Sequence, residues 1–99
     1  MTEERREHSR HTLSLECTLS WSGASARISD LSLGGCFVDC QAVPSVGETT
    51  EVTVAFDGMP TRLRGRVVNV QRGFGFGLEF TDLDEPTLKR LRNFLSVTG

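Results

Sequence analysis

Residues 62–80 of the chain read RLRGRVVNVQRGFGFGLEF, and this stretch decides the fold. Arg62 to Val70 is a candidate for a long strand, and Gln71-Arg72-Gly73 is typical of a hairpin loop. After the loop, apolar residues recur with the two-residue period of a strand that has one buried face. Those residues are Phe74, Phe76, Leu78 and Phe80. Gly75 and Gly77 lie on the other face, where glycine permits strong curvature or the close approach of another segment.

Upstream of this hairpin, the same two-residue period indicates further strands. Leu13, Leu15, Cys17, Leu19 and Trp21 alternate with polar residues. Later strand candidates cover residues 24–29, residues 36–40 and the alternating residues 52–56. Glycine, proline and aspartate separate these runs, as expected for turns. About six strands are therefore predicted before residue 81.

The period changes after Phe80 from that of a strand to that of a helix. Asp84 can cap a helix that starts at Glu85-Pro86. An apolar stripe with helical spacing follows, and basic residues lie away from it. The stripe consists of Leu88, Leu91, Phe94 and Leu95, and the basic residues are Lys89, Arg90 and Arg92. Six strands followed by one helix predict a small closed or nearly closed barrel with a helix packed against it.

The first twelve residues differ in composition from the rest of the chain. They hold charged residues of both signs, and Leu13 is the first apolar residue after Met1. Such a segment cannot offset the entropy of its own ordering by burial. We therefore predict a flexible arm over residues 1–12 and a single barrel domain over residues 13–99, as suits a chain of 99 residues.

Composition excludes several classes of protein. The formal net charge is −2, which argues against binding to long nucleic acid and favours a small anionic ligand. No apolar run is long enough for membrane insertion, and the first residues do not form a signal peptide, so we expect a cytoplasmic location. Three cysteines without close pairing predict buried, reduced thiols and no metal site.

Two polar clusters carry the chemistry of the chain. The first is Arg5-Arg6-Glu7-His8-Ser9-Arg10, and the second is Asp30-Leu31-Ser32-Leu33-Gly34-Gly35. A guanidinium matches both phosphate and the O6 and N7 acceptors of guanine. A carboxylate suits the donors on the opposite edge of guanine, and glycine lets a flat base approach the backbone. Together the clusters would suit a guanine-containing dinucleotide.

Each cluster by itself has a plainer interpretation. Most short charged runs are solvated tails, and Asp, Ser and Gly are common in structural turns. Arg62, Arg64 and Arg66 share one face of a strand, where charge would protect an exposed edge. Alternatively, Arg66 could add a phosphate contact, and Asn69 could lie near the same site.

Both clusters, in this order and ahead of this strand pattern, resemble the PilZ domain over nearly the whole chain. The Arg6-x-x-x-Arg10 and Asp30-x-Ser32-x-x-Gly35 spacings and the segment 75–80 carry the resemblance. It implies a bacterial protein with a mainly β fold. The expected fold is a six-stranded antiparallel PilZ-like barrel with a C-terminal helix. It also implies that cyclic di-GMP is the ligand.

The resemblance assigns roles to individual residues. Arg6 and Arg10 are expected to contact phosphate and the Hoogsteen edge of guanine. Asp30, Ser32 and the Gly34-Gly35 pair are expected to surround a guanine on the outside of the barrel. Arg5 matches a position where arginine accompanies an intercalated pair of ligand molecules.

The resemblance also implies that the chain is a receptor and not an enzyme. No spacing in the sequence marks a nucleophile beside a base. Bound ligand would order the arm on the barrel, and an unidentified downstream protein would read the changed surface. One alternative is a PilZ-like interaction module that works without ligand. Another is a barrel that binds single-stranded nucleic acid. The net negative charge and the absence of Tyr argue against it, and so does the expected placement of Trp21 and the phenylalanines in the core. No cofactor besides the ligand is expected.

Overall fold

Within residues 10–98, which the computed structural model describes, six strands and one helix follow one another. They are β1 (His11–Leu19), β2 (Ser25–Leu31), β3 (Gly35–Asp39), β4 (Thr49–Phe56), β5 (Met59–Gln71), β6 (Gly75–Phe80) and α1 (Glu85–Thr98). The strands pair in the order β1-β2-β3-β6-β5-β4 and close into a barrel. Every pairing is antiparallel. The predicted six-stranded barrel with a C-terminal helix is confirmed.

The inside of the barrel holds the alternate side chains that the sequence pattern indicated. On β4, Val52, Val54 and Phe56 are all buried, and on β6 Phe76 and Leu78 are buried. Since successive side chains of a strand point to opposite faces, the residues between them lie outside. Burial of each large apolar side chain contributes about 1.5–3 kcal/mol.

Two aromatic residues predicted for the core lie on the surface instead. Trp21 is 43% exposed and Phe74 is 72% exposed. The reason is that β1 ends at Leu19 and β6 begins at Gly75, so both residues fall in turns, where strand alternation no longer applies. The Trp21 ring still lies 5.9 Å from that of the buried Phe76, measured between centroids.

The arginine row on β5 does not protect a sheet edge. Strand β5 pairs with β4 on one side and with β6 on the other, and the barrel is closed. Arg62, Arg64 and Arg66 therefore lie on the exposed face of an interior strand. The interpretation as a charged edge is wrong, because closure removes the unpaired backbone groups that such charges would guard.

Helix α1 packs where β4 ends. Asp84 caps it, with its carboxylate accepting a hydrogen bond of 2.9 Å from the Thr87 amide. Leu91 and Leu95 are buried, and Phe94 places its ring 4.7 Å from the Phe56 ring. The predicted start of the helix and its apolar stripe are both confirmed.

The cysteines are free thiols, as expected. Cys17 and Cys36 are buried, and Cys40 is partly buried. Burial raises the pKa of Cys17 to about 11 and raises that of Cys36 further, so both thiols stay protonated. In the part of the chain that the structure describes, no group of histidine, cysteine and carboxylate side chains could hold a metal ion. No helix in that part has the length and apolar character needed to cross a membrane.

Candidate functional site

The β2–β3 bend is built around the Ser32 side chain. Ser32 is only 1% exposed. Its hydroxyl accepts hydrogen bonds from the Gly34 amide at 3.1 Å and the Gly35 amide at 3.2 Å. The Ser32 amide in turn donates to the Gly35 carbonyl at 2.9 Å. The serine of the second cluster therefore holds the backbone of the bend in place.

Gly35 is required where β3 passes β6. A Cβ at this position would collide with the Leu78 carbonyl oxygen on the neighbouring strand. Glycine at position 35 thus permits the close approach of two backbones. The resemblance to the PilZ domain had implied a different role for Gly35, which is to let a ligand approach. Both roles are compatible, because Gly35 also borders the cavity described below.

An ion pair joins the two polar clusters. The Arg10 guanidinium donates from Nε to Asp30 Oδ2 at 3.0 Å. Strand pairing explains the contact, because Thr12 on β1 lies opposite Asp30 on β2, and Arg10 lies two residues before Thr12. Residues 10 and 30 thus meet on the outside of the barrel.

The other oxygen of Asp30, Oδ1, is buried. Oδ1 has no hydrogen-bond partner among residues 10–98, and neither has the buried Nδ1 of the adjacent His11. A buried carboxylate oxygen that lacks a donor is unfavourable. The Asp30 carboxylate therefore retains the capacity to accept a hydrogen bond.

A continuous row of outward-facing positions runs across the barrel wall from Asp30. Strand register places Asp30 opposite Phe37, Phe37 opposite Gly77, and Gly77 opposite Asn69. We call these four residues the outer row. Because neighbouring strands lie about 4.8 Å apart, the row spans roughly 14 Å. Its length suits a flat, extended ligand.

A shallow cavity of about 250 Å³ lies along the outer row. It gathers residues from both polar clusters and from three strands. The predicted site residues that line it are Arg10, Ser32, Gly34, Gly35 and Asn69. Other lining residues are Cys36, Phe37, Val68, Gly77, Leu78 and Glu79.

Arg66 lies at the rim of this cavity. Its guanidinium Nη2 is 3.4 Å from Oε1 of the cavity residue Glu79. The pair follows from the register, because Arg66 and Glu79 are directly opposed on β5 and β6. Arg66 thus lies at the border of the site.

Of the predicted site residues, only Arg5 and Arg6 lie outside the described residues. The structure brings the others together around one cavity or places them at its border. Sequence analysis missed Phe37, Gly77 and Glu79 as site residues. Their outward direction could be read from strand alternation, but their adjacency depends on the order of the strands around the barrel, which alternation does not give.

Comparison with known families identifies the family to which the chain belongs. The family model for the PilZ domain matches residues 4–96. No curated protein matches the chain. Two solved structures have the same fold at low identity. One is the PilZ domain of CeSA from a cellulose-synthesizing bacterium, with a TM-score of 0.56, 19% identity, and coverage of 91% of this chain and 94% of that chain.

The other is the Borreliella burgdorferi PlzA protein, solved in complex with cyclic di-GMP. Its TM-score is 0.54 and its identity 14%. The alignment covers 95% of this chain and 37% of PlzA, so the chain corresponds to about a third of that protein.

Proposed function

The chain belongs to the PilZ domain family, and on that basis we propose that it is a receptor for cyclic di-GMP. PilZ domains are generally receptors for this dinucleotide and are not enzymes. The proposed ligand site is the outer row together with Arg10 and the β2–β3 bend.

The observation that carries the proposal is the contact between Arg10 and Asp30 at 3.0 Å. It joins a cation that can bind phosphate or the Hoogsteen edge of guanine to a carboxylate that can bind the opposite edge. The two groups come from separate parts of the sequence and meet beside a cavity. A ligand that carries both guanine and phosphate uses both groups.

Each polar group then has a role. The partly exposed Asp30 carboxylate accepts a hydrogen bond from the guanine N1 or N2 donors. Arg10, together with Arg5 and Arg6, binds phosphate and the O6 and N7 acceptors. Ser32 acts by holding the bend that places Asp30 and Gly35. Asn69 and Arg66 supply further polar contacts at the far side of the cavity.

Signalling follows from the position of Arg10 at the start of the barrel. Binding draws the residues before Arg10 onto the outer row, because Arg5 and Arg6 gain phosphate partners there. The order that the ligand creates changes the surface that a downstream protein recognises. In this proposal the cytoplasmic chain works as a switch that responds to ligand concentration.

Calorimetric titration with cyclic di-GMP tests the proposal. We expect binding by the wild type and weaker binding by Arg10→Ala and Asp30→Ala. Removal of a side chain that binds one edge of guanine should cost about 1–3 kcal/mol, which is roughly a 5-fold to 150-fold decrease in affinity. Arg72→Ala is the matched control, because Arg72 is an exposed arginine in the β5–β6 turn, outside the cavity.

Two results would refute the proposed function. One is the absence of binding by the folded wild type at millimolar ligand. The other is an equal affinity of wild type, Arg10→Ala and Asp30→Ala, since the site would then lie elsewhere.

One observation favours the second candidate, a protein-interaction module that needs no ligand. A groove of about 740 Å³ lies at the end of the barrel that carries the β5–β6 turn. Its apolar lining residues are Val43, Pro44, Val46 and Val70. Its other lining residues are Gln41, Ser45, Arg72 and Gly73, so the groove combines apolar and polar surface, as protein interfaces do. Stable capture of a partner protein in the absence of nucleotide, without any binding of cyclic di-GMP, would favour this candidate over the first.

A further inference from the structure

Phe37 occupies the middle of the outer row, although its residue type suggests a place in the core. It lies between the buried Cys36 and Val38 on β3, so its own side chain points out of the barrel. It is half-buried and lines the cavity beside Arg10. An aromatic ring on the outer wall, beside a polar site, needs an explanation other than core packing.

The neighbouring strand β6 provides a bare backbone beneath this ring. A Cβ at Gly75 would lie 2.8 Å from Phe37 Cε2, so the ring rests directly on the glycine. A Cβ at Gly77 would similarly lie 2.6 Å from Asn69 Nδ2. Two planar side chains thus rest on β6 where any other residue would displace them. Both side chains also line the cavity.

We propose that Phe37 is the residue on which a guanine of the bound dinucleotide stacks. The inference rests on the proposed function and adds a residue that neither polar cluster contains. Asp30, directly opposite Phe37 on β2, is then placed to bind the edge of the same base.

The two residues divide recognition between them. Stacking on an aromatic ring tolerates every base, because each base has a π-face. The Asp30 carboxylate selects guanine, because it needs the paired donors of that base. Phe37 therefore supplies affinity, and Asp30 supplies the preference for guanine.

Replacement of Phe37 by leucine removes the ring but keeps an apolar cover over Gly75. We expect Phe37→Leu to bind cyclic di-GMP at least about 5-fold more weakly than the wild type, since base stacking on an aromatic residue is worth that much. Phe37→Tyr keeps the ring and should retain the wild-type affinity. Phe74→Leu is the matched control, because Phe74 is an exposed phenylalanine that does not line the cavity.

Ring proton shifts of the wild type give a second readout that does not depend on the folding of any variant. A stacked base should move the Phe37 ring signals upfield, with little change at Phe74. Wild-type binding without such a shift, or equal affinity of folded Phe37→Leu and wild type, would overturn the stacking role and leave the receptor function standing. A wild type that binds no cyclic di-GMP would overturn both.

Discussion

Single residues in the β2–β3 bend combine structural and binding roles. Ser32 is buried with its hydroxyl bonded to two amides, and Gly35 has a backbone carbonyl where a side chain would begin. The plain interpretation of this segment as a turn is therefore correct. The turn also presents Asp30 to the outside of the barrel, so the same residues can serve a site.

Gly35→Ala tests the structural role of the glycine. The added methyl group meets the Leu78 carbonyl, and overpacking of this kind costs about 1–3 kcal/mol. We expect a lower midpoint of urea denaturation for this variant, with an unchanged slope. A midpoint equal to that of the wild type would show that the backbones of β3 and β6 leave room for a side chain at this position.

The Arg10–Asp30 pair contributes little to stability. The Arg10 side chain is 58% exposed and that of Asp30 is 32% exposed. Ion pairs so open to solvent are worth about 0–1 kcal/mol. The weaker binding expected for Arg10→Ala therefore reflects the missing guanidinium at the ligand and not unfolding of the barrel, and a denaturation curve of the same sample checks this.

At the scale of elements, local sequence signals define α1 well. Asp84 bonds to Thr87, and hydrogen bonds from the Thr87 hydroxyl and amide lower the pKa of the Asp84 carboxyl from its ordinary 3.8. Because the pKa is lower in the folded state, the Asp84 carboxylate adds to the free energy of unfolding at pH values above 3.8. This contribution is lost as the pH falls through the lowered pKa.

Asp84→Ala tests the cap of the helix. At neutral pH we expect the variant to melt a few degrees below the wild type, because the Thr87 amide loses its acceptor. The difference should narrow as the pH falls below 3.8 and Asp84 becomes protonated. Asp84→Asn is the control, since asparagine caps as well as aspartate at neutral pH. A pH-independent difference in melting temperature would contradict the assignment of the carboxylate as the cap.

Strands were also predictable where alternation was regular. Val52, Val54 and Phe56 lie inside the barrel as their spacing indicated. The ends of strands were less predictable, since turn positions interrupt the period. Trp21 and Phe74 continue the alternation in sequence but lie beyond the last paired residues, and both are exposed for that reason.

At the scale of the whole molecule, closure of the barrel determines which outward-facing residues are neighbours, and the sequence pattern does not give this. Alternation assigns each side chain to the inside or the outside, but strand order assigns its neighbours. Strand β6 lies between β3 and β5, which places Gly77 between Phe37 and Asn69. The polar clusters could be found from the spacing of their residues. The residues that connect Asp30 to Asn69 across the barrel wall could be identified only from the three-dimensional fold.

The two ends of the closed barrel carry different features. Arg10 and the β2–β3 bend lie at one end, and the turns that carry Trp21 and Phe74 lie at the other. A ligand on the outer row and a protein at the turn end could therefore bind at the same time.

Titration of the isotope-labelled protein with cyclic di-GMP, followed by amide NMR signals, shows whether Arg10 and the β2–β3 bend belong to one binding site. If the two polar clusters form one site, the largest changes at saturation occur at Arg10, Asp30, Gly35 and Gly77. Amides of Gly23 and Gly73, which lie in the turns at the other end of the barrel, stay nearly unchanged. Saturable changes concentrated at Gly23 and Gly73, or no change at any amide, would contradict a shared site.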